Sequence, residues 1–212
     1  METTTIEKRK ETMVDALKSR ATNLIPKTSF EEAIIILVDV SGSMNGGCEN
    51  GKSKLENVKR SLPGLWARGS YVSYGLVAFS TQSYPITQPT TNFQRLLTEA
   101  ETLMIYDMTN IPAAMRDGLI MLQDLVTERK RMILMTDGHN NSEQFEMERL
   151  IEQCVSANIV VDTIAFGADA DEVLLSGIAK RTGGIFTKAI SALQLAETYR
   201  NLNFQVRYIE NK

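Results

Sequence analysis

Cysteine and histidine are scarce in this sequence. Two cysteines, Cys48 and Cys154, and a single histidine, His139, are spread over 212 residues. There is no C-x-x-C pair and no His/Cys cluster, which excludes the usual structural zinc sites. The opening stretch "METTTIEKRKETM" lacks the apolar segment of a secretory signal, so no leader is expected and the thiols are expected to be free rather than bridged. Cys154 lies in "LIEQCVSAN" with helical apolar spacing and is expected in the core; Cys48 lies in a Gly-rich loop and is expected to be exposed. An excess of positive charge is also lacking. Lys and Arg number 23 against 26 Asp and Glu, a formal net charge of -3, so nothing attracts a polyanion and nucleic acid is excluded as a partner. No apolar run reaches the roughly 20 residues that span a bilayer, so no membrane insertion is expected. The polar start and the free thiols point to a cytoplasmic protein.

What is present is a hydrophobic share of 43%, ordinary for a globular chain, arranged in alternating strand-like and helix-like segments. Residues 6–25 carry Ile6, Met13, Val14, Leu17, Ala21 and Leu24 near one helical face, which predicts an amphipathic N-terminal extension over residues 1–30. Then "AIIILVDV" (33–40) is a short β-branched apolar run, suited to a strand buried on both faces. A helix is expected from Ser53, ended or kinked by Pro63 and Gly64. Strands follow at 71–80 and 83–88, joined by so short a connection that they must be antiparallel, with Pro85 placing the second at an edge. Helices are expected at 92–103 and 111–126, the latter with Pro112 in its first turn. A strand at 131–137 follows, approached through the solvated run "TERKR". The remaining pattern is a helix at 142–158 capped by Ser142, a strand at 159–167, a helix at 169–184 stopped by Gly183, a short strand at 185–189 and a closing helix at 190–203.

This alternation predicts an α/β fold over residues 31–212: a doubly wound, mostly parallel six-stranded sheet in the order 3-2-1-4-5-6, with one antiparallel edge strand and helices on both faces. In such a sheet ligands bind beyond the carboxyl ends of the strands, where the strand order reverses. Asp39 ends the first strand and Asp137 ends "RMILMTD", so the two carboxylates should face one crevice. Ser41 and Ser43, on a tight loop eased by Gly42, can aim both hydroxyls to one side, and the loop carrying Thr109 falls on the same rim. Two carboxylates and three hydroxyls suit a hard cation of the Mg²⁺ type, with room for an external oxygen. No soft ligand is present, so zinc and copper match poorly.

The set Asp39-x-Ser41-x-Ser43, Thr109 in "MTNIPAAM" and Asp137 in "MTDG" resembles the von Willebrand factor A domain with its metal-ion-dependent adhesion site. The likeness runs from residue 33 to about 203 and includes "IAFGADADEVLLSGIAKRTGGIF". It implies that Ser41, Ser43 and Thr109 contact a Mg²⁺ or Mn²⁺ ion, with Ca²⁺ the poorer fit. It further implies that Asp39 and Asp137 act largely through water and that a partner protein's Asp or Glu completes the shell. Cytosolic relatives often accompany AAA-type ATPases or assembly functions, so such a partner is implied by the same resemblance. Pro112 and the long loop 45–52 depart from the commonest family pattern without touching a ligand position.

Two other readings compete. Residues 46–53, "GGCENGKS", fit the phosphate-loop pattern G-x-x-x-x-G-K-[ST], the mark of a nucleotide hydrolase. Against it, "SGSMN" separates the loop from the end of its strand, and Glu49 would face the phosphates. Ser41 or Ser43 could instead be a nucleophile with His139 as base, yet "DGHNN" is turn-like and a surface histidine there is the default. An aspartyl-phosphate mechanism needs a second acid two residues after Asp39, where Ser41 stands. The expectation is therefore a binding module without a catalytic residue.

Overall fold

The computed structural model describes residues 30–66, 71–138 and 144–208. The expected N-terminal helix, His139 and Ser142 lie outside the described residues. Six strands form one sheet in the order β3-β2-β1-β4-β5-β6. They are β1 (Phe30–Asp39), β2 (Val72–Phe79), β3 (Ser83–Thr90), β4 (Thr127–Thr136), β5 (Ile159–Phe166) and β6 (Phe186–Ala189). Only β2 and β3 pair antiparallel; β1 runs parallel to both β2 and β4, and β4, β5 and β6 continue in parallel. Pro85 and Pro89 sit on edge strand β3, where a missing N–H leaves no ladder bond unmade.

Strand periodicity divides the core in two. Ile34, Ile36 and Val38 of β1 point to one face with Tyr74 and Leu76 of β2, and there meet Leu55, Val58, Phe93, Leu96, Leu195 and Tyr199. These belong to α1 (Lys54–Ser61), α2 (Phe93–Ala100) and α6 (Ala192–Tyr208). The intervening Ala33, Ile35 and Leu37 point to the other face, against Ile111, Met115, Met147, Cys154, Leu175 and Ile178. Those lie on α3 (Ile111–Gln123), α4 (Gln144–Ser156) and α5 (Glu172–Thr182). A strand flanked by helices on both faces has no solvated side, which is why β1 is apolar without a break from Ala33 to Val38. Removing one such side chain, as in Leu37→Ala, costs about 2–5 kcal/mol.

The helix starts follow from their caps. Ser53 and Glu56 form a reciprocal capping box on α1, Asn110 accepts from Ala113 N at the start of α3, and Asp171 accepts from Leu174 N at the start of α5, each satisfying an orphan donor. Pro63 lies in a 3-10 turn, Leu62–Leu65, that ends α1 as its ring requires. Gly183 ends α5 with φ 76, the left-handed conformation that glycine adopts without strain.

Two expectations are corrected. The run "TERKR" is not a solvated approach: β4 begins at Thr127, pairs with β1 from Phe30↔Thr127 onward, and so α3 stops at Gln123. Pairing on both sides carries Arg131 inward, where Nε lies 3.2 Å from Glu32 Oε1 and Nη1 lies 2.6 Å from Asp162 Oδ2. Cys48 is half-buried against the core rather than exposed, because its loop folds back on itself.

Candidate functional site

The carboxyl ends of β1 and β4 lie side by side, with Val38 opposite Met135. Asp39 is the last residue of β1 and Asp137 follows the last residue of β4, so parallel pairing alone brings the two acids to one crest. Both side chains are buried. The Asp39 carboxylate accepts from the Ser41 amide at 2.7 Å and from the Thr136 hydroxyl. Burial nevertheless pushes its pKa up to about 6, against the pull of those hydrogen bonds and with a smaller push from the Asp137 charge.

After Asp39 the chain turns through a 3-10 segment, Gly42–Asn45. Gly42 N donates to Asp107 O at 2.9 Å, and Tyr106 N donates to Val40 O at 2.7 Å. The 104–110 loop is thereby tied to the crest, and Thr109, which is 5% exposed, is held beside Gly138. A Cβ built on Gly138 would lie 3.1 Å from Thr109 Oγ1 and 3.9 Å from Ser43 Oγ. Ser43 Oγ lies 3.1 Å from Ser41 Oγ and donates to Asp137 Oδ1 at 2.6 Å. Asp39, Ser41, Ser43, Thr109 and Asp137, from three separate stretches of sequence, thus converge.

The donor set fits a small hard cation. A serine hydroxyl that gives its proton to a carboxylate keeps its lone pairs for a metal. Adjacent ligands of an octahedral Mg²⁺ at about 2.1 Å stand about 3.0 Å apart, and the two serine oxygens are separated by 3.1 Å. Among the described residues no group of three or more His, Cys, Asp or Glu gathers as a metal cluster, so a metal held here would rest on hydroxyls as much as on carboxylates.

Lys54, the first residue of α1, belongs to none of the sequence motifs, although its ammonium lies 2.5 Å from Asp137 Oδ2. It stands beyond the short D-x-S-x-S motif and next to the distracting Gly51-Lys52-Ser53, and only the fold shows which lysine turns toward the acids. The signal available was a lone cation opening the helix that follows the loop.

The glycine loop is closed on itself. Gly47 bridges to Ser53, Cys48 N donates to Lys52 O at 2.7 Å and Gly51 N to Cys48 O at 3.0 Å. Lys52 N donates to the Asn50 side chain and Ser53 N to Glu56. A phosphate cradle needs such amides pointing outward together; here they are engaged within the loop. Glu49 reaches the start of α6, accepting from Ala192 N at 2.8 Å.

Residues 34–139 match the family model described as the von Willebrand factor type A domain. An uncharacterised protein of Borreliella burgdorferi is 22% identical over 178 residues, 72% of this chain and 52% of its own length; the chain thus spans about half of that curated relative. Among solved structures, an aerotolerance-related membrane protein from Bacteroides fragilis superposes with a TM-score of 0.69 at 18% identity, covering 82% of this chain and 98% of that one. A von Willebrand factor type A protein from Catenulispora acidiphila gives 0.67 at 19% identity, covering 82% and 42%. At these identities the likeness speaks for the fold.

Proposed function

Because this chain belongs to the von Willebrand factor type A domain family, whose domains generally mediate contacts between proteins, we propose that it is a metal-dependent protein-binding module. In this reading Asp39, Ser41, Ser43, Thr109 and Asp137 form a metal-ion-dependent adhesion site for Mg²⁺ or Mn²⁺, which captures an Asp or Glu side chain of a partner. Turnover is no part of it. The observation that carries the reading is the Ser43 hydroxyl, which joins the two halves of the site by donating to Asp137 while standing one ligand spacing from Ser41 Oγ.

The roles divide by chemistry. The hydroxyls of Ser41, Ser43 and Thr109 offer neutral oxygens. Asp39 and Asp137 supply the charge and, through their hydrogen bonds, orient the loop that carries the serines. A bound divalent ion would supply a Lewis-acidic point with open coordination for an external oxygen, and a carboxylate is the hard anion best matched to it. The rim beside the site suits a protein surface: Tyr84 and Tyr106 stack at 5.6 Å, and Tyr106 and Met108 are more than half exposed. Aromatic and methionine side chains are enriched where proteins meet. Whether the partner is an AAA-type ATPase or another assembly component belongs to the same proposal, as does a cytoplasmic location; among the described residues no helix is long and apolar enough to cross a membrane.

Mn²⁺ titration followed by electron paramagnetic resonance tests the reading. The wild-type chain is expected to bind one ion and Asp137→Ala none; equal binding by both would remove the site. The phosphate-loop alternative predicts ATP hydrolysis lost in Lys52→Ala, and the internally bonded loop amides argue against it.

A further inference from the structure

The candidate site already holds a cation of the chain's own. Lys54 Nζ is 2.5 Å from Asp137 Oδ2, with the lysine side chain 17% exposed and the aspartate side chain fully buried. Nothing about helix stability favours a lysine there, because a cation in the first turn opposes the helix dipole. Its root is fixed by Lys54 N donating to Gly46 O at 2.8 Å. Its tip lies where side chains are missing from two neighbouring loops. A Cβ on Gly167, which follows β5 with φ +100, would come 3.2 Å from Nζ and 3.4 Å from Cε, and one on Gly46 would come 3.6 Å from Cε. Gly167 is thus the tighter of the two neighbours, and its missing side chain leaves room for the ammonium beside Asp137.

We propose that Lys54 is a tethered counter-cation that competes with the divalent metal for Asp137 and must swing away from it when the metal binds. This rests on the metal-site reading above. Both oxygens of Asp137 are engaged by the chain itself, Oδ1 by Ser43 and Oδ2 by Lys54. Ser43 can keep its hydrogen bond while its lone pairs turn to an ion. Lys54 has no such option, since an ammonium has only donors. Asp39 and Asp137 bring two negative charges to the crest and Lys54, seated on Asp137, one positive charge; adding a divalent ion with the lysine still seated would turn the remaining negative charge into an excess positive one. Like charges so close repel strongly where water is excluded. The lysine leaves, and its long stem can carry the ammonium to solvent. The result is a site that keeps its acidic residues apart from one another's repulsion when no metal is present, binds metal with reduced affinity, and bares a lysine beside the incoming acidic partner once loaded.

The test uses two divalent ions as probes, Mn²⁺ for affinity and Mg²⁺ for acylation, in two measurements on the full chain. Titration of wild type and Lys54→Gln gives the affinities, and acylation of Lys54 in the wild type, read by mass spectrometry with and without Mg²⁺, reports whether the ammonium moves without relying on the variant's folding. The proposal predicts that Lys54→Gln binds Mn²⁺ about ten- to a hundredfold more tightly, the scale of one charge-assisted hydrogen bond removed from the competing state. It also predicts that Mg²⁺ accelerates Lys54 acylation several-fold. If the wild type binds metal and Lys54→Gln binds no more tightly, the lysine proposal falls while the metal site stands. Acylation unchanged by a saturating ion would overturn the displacement. Absence of binding in both proteins would overturn the metal-site reading and this inference with it.

Discussion

Ser43 and Asp137, 94 positions apart in sequence, are joined by a hydrogen bond of 2.6 Å at the crest of the sheet. The bond closes a path from Asp39 through the Ser41 amide, the two serine hydroxyls and Asp137. Replacing Ser43 by Ala removes one oxygen of the proposed metal site and frees Asp137 Oδ1 without disturbing β1. The expected outcome is a loss of Mn²⁺ affinity of tenfold or more, with a melting temperature of the metal-free protein within a few degrees of wild type. Titration and circular dichroism on the same sample check both halves.

The opposite end of the strands carries a charge cluster with its own signature. Arg131 lies between Glu32 and Asp162, and Glu32 Oε2 has no hydrogen-bond partner among the described residues. Breaking such a buried set from the cationic side leaves Asp162 without its ion pair and Glu32 with the Arg129 charge alone, so Arg131→Met should cost about 3–5 kcal/mol. Glu32→Gln keeps the shape and removes a charge with an unpartnered oxygen, and should cost little. Urea unfolding of the two variants gives the contrast.

The same cluster predicts a pH dependence. Burial raises the pKa of Glu32 and of Asp162 despite the opposing pull of Arg131. A carboxyl with a raised folded-state pKa binds its proton more readily when folded. Its stabilising contribution is complete below the ordinary value, 4.5 for Glu32, and is lost as pH rises through the folded-state value. Asp39, pushed up to about 6, acts in the same direction. Stability of the metal-free chain should therefore fall as pH rises from the ordinary carboxylate range towards neutrality, and Glu32→Gln should flatten the fall. Urea midpoints across that range would contradict the account if the variant's slope equalled or exceeded that of wild type.

Gly177 and Gly184, seven residues apart, should respond oppositely to alanine. A Cβ on Gly184 would stand 2.1 Å from the Val161 carbonyl oxygen, a main-chain atom with no freedom to retreat, whereas one on Gly177, within α5, meets nothing within 4 Å. Gly184→Ala should destabilise by several kcal/mol, on the scale of about 3 or more reserved for overpacking and strain. Gly177→Ala should stabilise by roughly 0.5–1 kcal/mol through helix propensity. Thermal denaturation separates the two signs.

Much of the architecture was legible because strand and helix periods differ so plainly. "AIIILVDV" has no polar face to give solvent, Pro85 marks an edge, and the three-residue connection before it forces the one antiparallel pair. The order 3-2-1-4-5-6 then places Asp39 beside the end of β4 without any side-chain reasoning. Three features escaped. "TERKR" reads as solvated because charge density argues for exposure, and only pairing with β1 and β5 reveals Glu32 and Asp162 as its partners. Cys48 reads as exposed because glycine-rich loops usually are, yet the bridge Gly47↔Ser53 folds the loop inward. Lys54 escaped because nothing in local spacing tells that an α1 lysine turns through the gap beside Gly46 and Gly167 to meet Asp137.

The most direct test of the metal site is crystallographic. A crystal soaked in Mn²⁺ and measured at a wavelength where manganese scatters anomalously should show one strong peak, about 2.1–2.2 Å from Ser41 Oγ and Ser43 Oγ by the bond lengths hard divalent ions keep to oxygen, with Thr109 and Asp137 around it. A saturating soak that leaves the crest without a peak, or puts the peak at other residues, would contradict the account.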